Sequence, residues 1–257
     1  MTVPPAPSSD GPDRSVPPVP WAGARAVLDV VLIYVGAQVV VLVVAAIVSS
    51  QGVSAESTVP LLLVLSPIAV LALTSAWIGL RYQGRLRPVT GRRGPRLGDV
   101  GIGVGIGIAS LIGQRVIVGI IAIIASRFDV DLPVVQETFR MIAQRPDVAP
   151  LLVLTAVLLA PVAEEVLFRG ILFQGLRAQG GFWLAAVVSA ALFTLAHLGE
   201  DGGWFAIGII ASGIFPLGLV FAALVERRGS LLVSIVAHAS YNAIGVAALI
   251  LAPDVAV

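Results

Sequence analysis

The stretch from residue 149 to 177, APLLVLTAVLLAPVAEEVLFRGILFQGLR, decides how this chain folds. As a helix it is long enough to cross the hydrocarbon core of a bilayer, which takes about 20 apolar residues. It nevertheless carries two adjacent carboxylates, Glu164 and Glu165, near its centre. A charged side chain at that depth costs roughly 2.5–3.5 kcal/mol on insertion scales, so it normally faces a partner or a wet cavity. The stretch therefore predicts a membrane span with a functional site inside it.

The rest of the chain repeats this apolar pattern. Its 257 residues are 58% hydrophobic, with a mean hydropathy of +1.00. Because lipid offers the backbone no hydrogen bonds, apolar runs of this length must form helices, whereas a barrel would need short alternating segments. The predicted fold class is all-α, a polytopic transmembrane helical bundle of about seven spans, with a range of six to eight. The seven apolar runs are 27–49, 59–81, 100–126, 149–177, 182–199, 204–225 and 230–251.

The chain is predicted to hold one folded domain. The first 20 residues include seven prolines, and residues 1–22 are predicted to be a disordered cytoplasmic tail. Residues 23–257 form a single membrane-embedded domain with its motif-bearing core at about 149–251, because no soluble stretch is long enough for a core of its own. The third run is rich in glycine, which permits another helix to approach it closely.

Positive charge predicts the orientation. All 16 basic residues are arginine, and six of them lie between residues 81 and 96, after the second run. Arg177, Arg227 and Arg228 fall at run ends that seven alternating spans place on that same side. The positive-inside rule then puts this side and the N-terminus in the cytoplasm. The prediction is a multi-pass protein of the plasma membrane with a cytoplasmic N-terminus.

Composition excludes several function classes. The chain has no cysteine, so disulfides, Cys-based metal sites and cysteine proteases are excluded. The net charge of +1 gives no indication of nucleic acid binding, and no nucleic acid partner is predicted. The expected partner is the lipid bilayer, and the oligomeric state is left open.

The first of three short motifs is Glu164-Glu165-Val-Leu-Phe-Arg169-Gly170. On a helix, Glu165 and Arg169 stand four residues apart on one face, in the orientation that favours an ion pair. Glu164 lies about 100° further round the helix and is free to point into a cavity. One carboxylate is then anchored and the other is suited to act as a general base. The alternative is a structural salt bridge that locks two spans together.

The other two motifs contain the chain's only histidines, His197 and His238. His197 ends the pattern Phe193-Thr-Leu-Ala-His197, and His238 stands four residues before Asn242, on one helix face. Histidine can accept a proton or bind a metal, and an Asn amide can stabilise an oxyanion. A lone membrane histidine is often only an interhelical hydrogen bond. Counting from span centres puts His197 about 9 Å outward and His238 about 4 Å inward of the midplane. A shared site therefore requires tilted helices or a shifted start of the fifth span.

Arg115, beside Gln114, lies in the middle of the third run. Three roles are open for it. It is a counter-ion for Glu164 or Glu165, a clamp for a substrate carboxylate, or a plain interhelical hydrogen bond.

The ordered set EExxxR, FxxxH and HxxxN, each on its own hydrophobic segment, resembles the signature of the CPBP family of intramembrane proteases. This family is named for CAAX-prenyl proteases and bacteriocin-processing enzymes and is also called the ABI family. The resemblance covers roughly residues 160–245. It implies an integral membrane endopeptidase that hydrolyses a peptide bond of a membrane-associated peptide or protein substrate.

The resemblance also implies a role for each motif residue. Glu164 and His197 would activate a water, His238 and Asn242 would stabilise the tetrahedral oxyanion, and Glu165 and Arg169 would support the site. The family's description as metalloproteases implies a divalent metal held by Glu164, His197 and His238. Zinc is the first candidate. The chain has no closely spaced HExxH pair to support that metal. The competing predictions are a proton- or ion-coupled transporter and a non-catalytic membrane immunity or scaffold protein.

Overall fold

The protein is described by a computed structural model that covers residues 21–82, 87–128, 141–198 and 204–251. These residues form helices and contain no strand, which confirms the all-α prediction. We number eight helices in chain order. They are α1 (Ala24–Ser50), α2 (Ala55–Tyr82), α3 (Arg87–Thr90), α4 (Leu97–Arg127), α5 (Ala149–Arg177), α6 (Phe182–Leu195), α7 (Trp204–Arg228) and α8 (Leu231–Leu251).

Six of these helices are long and apolar enough to cross a membrane: α1, α2, α4, α5, α7 and α8. The predicted seventh span, run 182–199, forms the 14-residue helix α6. At 1.5 Å per residue this helix is about 21 Å long, shorter than the roughly 30 Å hydrocarbon core. The described part of the bundle thus has six full spans, at the lower limit of the predicted range, and one short helix packed among them.

The arginines at the helix ends gather at one end of the bundle, which we call the arginine-rich end. Arg177 at the end of α5 pairs with Glu226 of α7 at 3.1 Å. Arg228 pairs with Asp99 at the start of α4 at 2.7 Å. The ends of α5 and α7 therefore lie beside the start of α4, as the charge pattern predicts for one membrane face.

The N-terminal boundary of the folded part lies earlier than the sequence predicts. Most of the predicted tail, residues 1–20, is outside the described residues. Trp21, which the prediction assigned to the tail, is fully buried, and its indole N–H donates to the Ile171 carbonyl at 2.9 Å. A Cβ added at Gly175 would lie 2.5 Å from the Trp21 carbonyl oxygen, so this contact requires a glycine. Burial of this large aromatic side chain stabilises the packing of residue 21 in the core, three residues before α1 begins.

The glycine-rich run forms α4, and it packs closely on α8. A Cβ added at Gly107 would lie 2.5 Å from the Ala237 carbonyl oxygen, and one at Gly103 would lie 2.8 Å from Val236. The predicted close approach is confirmed. Because Ala237 precedes His238, this contact also sets the position of α8 next to the motif histidine.

The orientation of the bundle can be tested with single cysteines, because the native chain has none. Gly94, at the arginine-rich end, and Ser54, between α1 and α2, are both exposed. If the positive-inside rule holds, Gly94→Cys will react with a membrane-impermeant maleimide only after the cells are opened, and Ser54→Cys will react in intact cells. Reaction of both variants in intact cells would contradict this orientation.

Candidate active site

Helix α5, which carries the carboxylates, is not a regular α-helix. It contains two π-helical segments, Leu154–Leu159 and Glu165–Phe173, separated by the α-helical segment Ala160–Glu164. The Ala160 N–H bonds to the Thr155 carbonyl, five residues back. The next donor in that register would be Pro161, which has no N–H. The Ala156 carbonyl therefore lacks its helical partner, and such widened turns are frequent at functional sites.

Side chains from elsewhere in the chain bind carbonyls of this irregular helix. Asn242 Nδ2 of α8 donates to the Ala156 carbonyl at 2.7 Å. Ser189 Oγ of α6 donates to the Phe168 carbonyl at 2.9 Å. These bonds tie α6 and α8 to α5, one turn or more on either side of the carboxylate pair.

The Asn242 contact differs from what the resemblance implies. The amide points to a backbone carbonyl, and one of its two N–H donors is occupied there. Asn242 therefore holds helix α5 in this structure, and its implied role towards an oxyanion stays a prediction that would depend on the second N–H.

Glu165 and Arg169 form the predicted ion pair. Arg169 Nη1 donates to Glu165 Oε1 at 3.0 Å, and both side chains are fully buried. Arg169 Nη2 donates to the Gly218 carbonyl of α7 at 3.1 Å. The guanidinium also lies 4.2 Å from the ring centroid of Phe193 and 5.3 Å from that of Phe221, as in cation–π contacts. One arginine thus connects α5, α6 and α7.

The second carboxylate, Glu164, faces both histidines. Its Oε2 lies 3.4 Å from Nε2 of His197 and 3.8 Å from Nε2 of His238. Both distances exceed a strong hydrogen bond, and this buried oxygen has no well-aligned donor among the described residues. The Glu164 and His197 side chains are 22% and 29% exposed, against 4% for His238. The three groups meet at one point, partly open on the side of Glu164 and His197.

The predicted difference in depth between the histidines does not arise. The estimate assumed that run 182–199 spans the whole membrane, with His197 near its outer end. Helix α6 instead starts at Phe182 beside the arginine-rich end and stops at Leu195. His197 follows directly after this short helix, so it lies part-way through the bundle at the level of Glu164.

The orientation of each ring follows from its other nitrogen. His197 Nδ1 lies 2.7 Å from the Phe193 carbonyl oxygen, which can only accept, so Nδ1 carries a proton. His238 Nδ1 lies 3.2 Å from Glu165 Oε1, to which it donates. Both tautomers are assigned from these partners. Nε2 of each ring is therefore directed at Glu164 Oε2.

Glu164, His197 and His238 are of the right chemical types for zinc. However, no three His, Asp, Glu or Cys side chains of the described residues are grouped so that they could hold a metal ion. These residues do not provide a ligand set by themselves, so the zinc ion stays a prediction from the resemblance.

Arg115 does not serve as the counter-ion of the carboxylate pair. It lies on an exposed face of α4, and the partners of Glu165 are Arg169 and His238. The other two predicted roles of Arg115, a clamp for a substrate carboxylate and an interhelical hydrogen bond, stay predictions.

Several groups at the site were not predicted. Tyr34 of α1 donates its hydroxyl to the Ala196 carbonyl at 2.8 Å, directly before His197. Phe221 packs its ring 5.1 Å from that of His238, and Gly218 supplies a carbonyl to Arg169. The available signal was weak: a single tyrosine in the first span, and one phenylalanine among many.

Residues 146–244 match the family model described as type II CAAX prenyl endopeptidase Rce1-like. The motif-bearing region is therefore similar to this family, and the match covers less than half of the chain. A protein of Escherichia coli described as an uncharacterized 24.3 kDa protein is 32% identical over 102 residues. That alignment covers 39% of this chain and 44% of the relative, so the chain spans less than half of the relative's length. No solved structure matches the chain.

Within this Rce1-like region, Arg169→Ala is expected to destabilise the protein strongly. It leaves Glu165 buried without its cation, and breaking a buried pair costs about 3–5 kcal/mol. The measurement is thermal unfolding in detergent together with the protein level in the membrane. Arg177→Ala is the control, because it removes a partly exposed pair that contributes about 1 kcal/mol or less. Equal losses in the two variants would contradict the central role of the Arg169 pair.

The stability that the Asn242 hydrogen bond contributes is expected to depend on Pro161. Asn242→Ala leaves the buried Ala156 carbonyl without a donor, which costs about 1–3 kcal/mol. Pro161→Ala supplies an N–H in the register that this carbonyl needs, so Asn242→Ala should cost less in that background. Unfolding free energies of the wild type, both single variants and the double variant form the cycle that measures this coupling. An equal cost of Asn242→Ala in both backgrounds would show that the two residues do not share the carbonyl.

Proposed function

We propose that the protein is an intramembrane endopeptidase of the CAAX-prenyl-protease type. The observation that carries the proposal is the approach of one carboxylate oxygen, Glu164 Oε2, to Nε2 of both His197 and His238. These groups come from α5, α8 and the turn that follows α6, within the region matched by the Rce1-like family model. The substrate class is a peptide or protein held at the membrane, with a prenylated C-terminal segment as the first candidate.

The hydrogen-bond pattern supports activation of a water by Glu164 and His197. With its proton on Nδ1, a neutral His197 presents the Nε2 lone pair to the carboxylate. Two acceptors that face each other at 3.4 Å need a donor, and a water donating to both is polarised as a nucleophile. The partial exposure of both side chains gives such a water a route to the site.

The water oxygen bonds to the carbonyl carbon of the scissile peptide, and Glu164 with His197 takes one water proton. The tetrahedral intermediate collapses, the C–N bond breaks, and that proton goes to the leaving amine nitrogen. A general acid–base pair of this kind contributes typically 10²–10⁴-fold to the rate.

His238 is suited to stabilise the developing oxyanion. A hydrogen on His238 Nε2, which lies 3.8 Å from Glu164 Oε2, would be a donor on a side chain that is only 4% exposed. Donors fixed in a low-dielectric site contribute most where charge develops. The second N–H of Asn242 is the other candidate donor.

The test uses an internally quenched farnesylated peptide that ends in a CAAX sequence, with the purified protein in nanodiscs. Glu164→Gln keeps size and polarity but removes the base, so it should abolish cleavage while leaving folding intact. Glu56→Gln is the matched control, because Glu56 lies at the start of α2 and is 80% exposed. This variant should cleave the peptide as the wild type does. Equal cleavage by wild type and Glu164→Gln would reject the mechanism and favour the transporter or scaffold.

Two further measurements test whether cleavage requires the farnesyl group and whether it requires a metal. The same peptide without its farnesyl group shows whether the lipid is required for cleavage. Treatment with a zinc chelator, followed by added zinc, tests the predicted metal. Loss of cleavage that zinc restores would establish the metal, and unchanged cleavage would favour the carboxylate and imidazole alone.

A further inference from the structure

The geometry points to Tyr34 as a positioning residue of the active site: its hydroxyl holds the end of α6 and so fixes His197 against Glu164. Tyr34 lies on α1, outside the region 146–244 that the family model matches. This inference rests on the proposed function, but one of its tests is independent of it.

The contact solves a problem that the short helix creates. The last carbonyls of any helix have no partner within the helix. Inside the bundle such a carbonyl needs a donor from another part of the chain or from a bound water. Helix α6 ends within the bundle at Leu195. The Tyr34 hydroxyl donates to the Ala196 carbonyl at 2.8 Å, so α1 provides the missing donor.

The bonded carbonyl belongs to the residue directly before the histidine. The His197 N–H returns to the Thr194 carbonyl at 2.9 Å, and its Nδ1 bonds to the Phe193 carbonyl at 2.7 Å. The ring is therefore fixed to the same turn of backbone that Tyr34 holds. If that turn moves, the distance from His197 Nε2 to Glu164 Oε2 changes with it.

The phenol itself is held beside the carboxylate helix. Its ring centroid lies 6.4 Å from that of Phe168 on α5, and Tyr34 is half-buried. Since a phenylalanine would fill the same space, the hydroxyl is present for its hydrogen bond, which makes its removal a clean test.

The kinetic test compares Tyr34→Phe with the wild type on the farnesylated, quenched CAAX peptide. A displacement of about 1 Å in a catalytic group can cost on the order of 10²-fold, so kcat should fall about 10- to 100-fold with KM within twofold. Tyr241→Phe is the matched control, because it removes the same atom from another partly buried residue of a span, on α8. It should retain wild-type kcat. A change in KM alone for Tyr34→Phe would mean substrate contact and overturn the inference.

The second test does not depend on activity. The chain has two histidines, so ¹⁵N-histidine labelling gives two sets of ring signals, assigned with His197→Gln. Tyr34→Phe should shift and broaden the His197 signals, and Tyr241→Phe should leave them unchanged. Unchanged His197 signals in Tyr34→Phe would overturn the inference, whatever happens to kcat. If the wild type cleaves nothing but the His197 signals shift, the positioning role stands and the proposed function fails.

Discussion

The buried ion pair between Glu165 and Arg169 is the interaction on which the rest of the structure depends. Two unpaired charges at this depth would destabilise the bundle, and further hydrogen bonds support the pair. Glu165 Oε2 and Arg169 Nε have no hydrogen-bond partner among the described residues. Glu165 Oε1 accepts from both Arg169 and His238, and Arg169 reaches the Gly218 carbonyl. The pair therefore fixes α5, α7 and α8 relative to each other. With Glu165 committed to these bonds, Glu164 is the carboxylate left to face Nε2 of both histidines.

The same requirement for satisfied polar groups explains why α5 is irregular. A regular helix of apolar residues keeps all its backbone bonds to itself and offers nothing to its neighbours. Pro161 leaves the Ala156 carbonyl without a helical donor, and Asn242 of α8 supplies one. Ser189 of α6 and Trp21, which precedes α1, donate to the Phe168 and Ile171 carbonyls of the same helix. The irregular turns thus tie α5 to the rest of the bundle around Glu164, and they do so through directional bonds rather than packing alone.

The fold could be predicted from the sequence as far as helix length and membrane thickness determine it. Each long apolar run became a helix within a few residues, because lipid leaves the backbone no alternative. Run 182–199 was misjudged because hydropathy measures apolar length and does not register where a helix stops. The burial of Trp21 was missed for a similar reason. A proline-rich tract indicates disorder by composition, and composition cannot show that one tryptophan at its edge fits against Gly175.

The candidate site was predictable where its contacts are local and unpredictable where they are not. The Glu165–Arg169 pair follows from four-residue spacing on one helix. The partner of Asn242 is 86 residues away along the chain and is a backbone carbonyl, which has no residue type to signal it. The π turn that frees the Ala156 carbonyl depends both on Pro161 and on the distant donor Asn242. Its position could therefore not be predicted from local sequence.

The short helix α6 links these observations. A full span would carry His197 past the level of the carboxylates, as the midplane estimate indicated. A helix of about 21 Å that starts at the arginine-rich end stops at the level of Glu164, but its last backbone carbonyls have no partner within the helix. One of these carbonyls is bound by the Tyr34 hydroxyl from α1. The matched region 146–244 supplies the motif residues, but the end of the helix that presents His197 is bonded to a helix outside it. The placement of the histidine thus depends on the N-terminal half of the chain, in which no family motif was found.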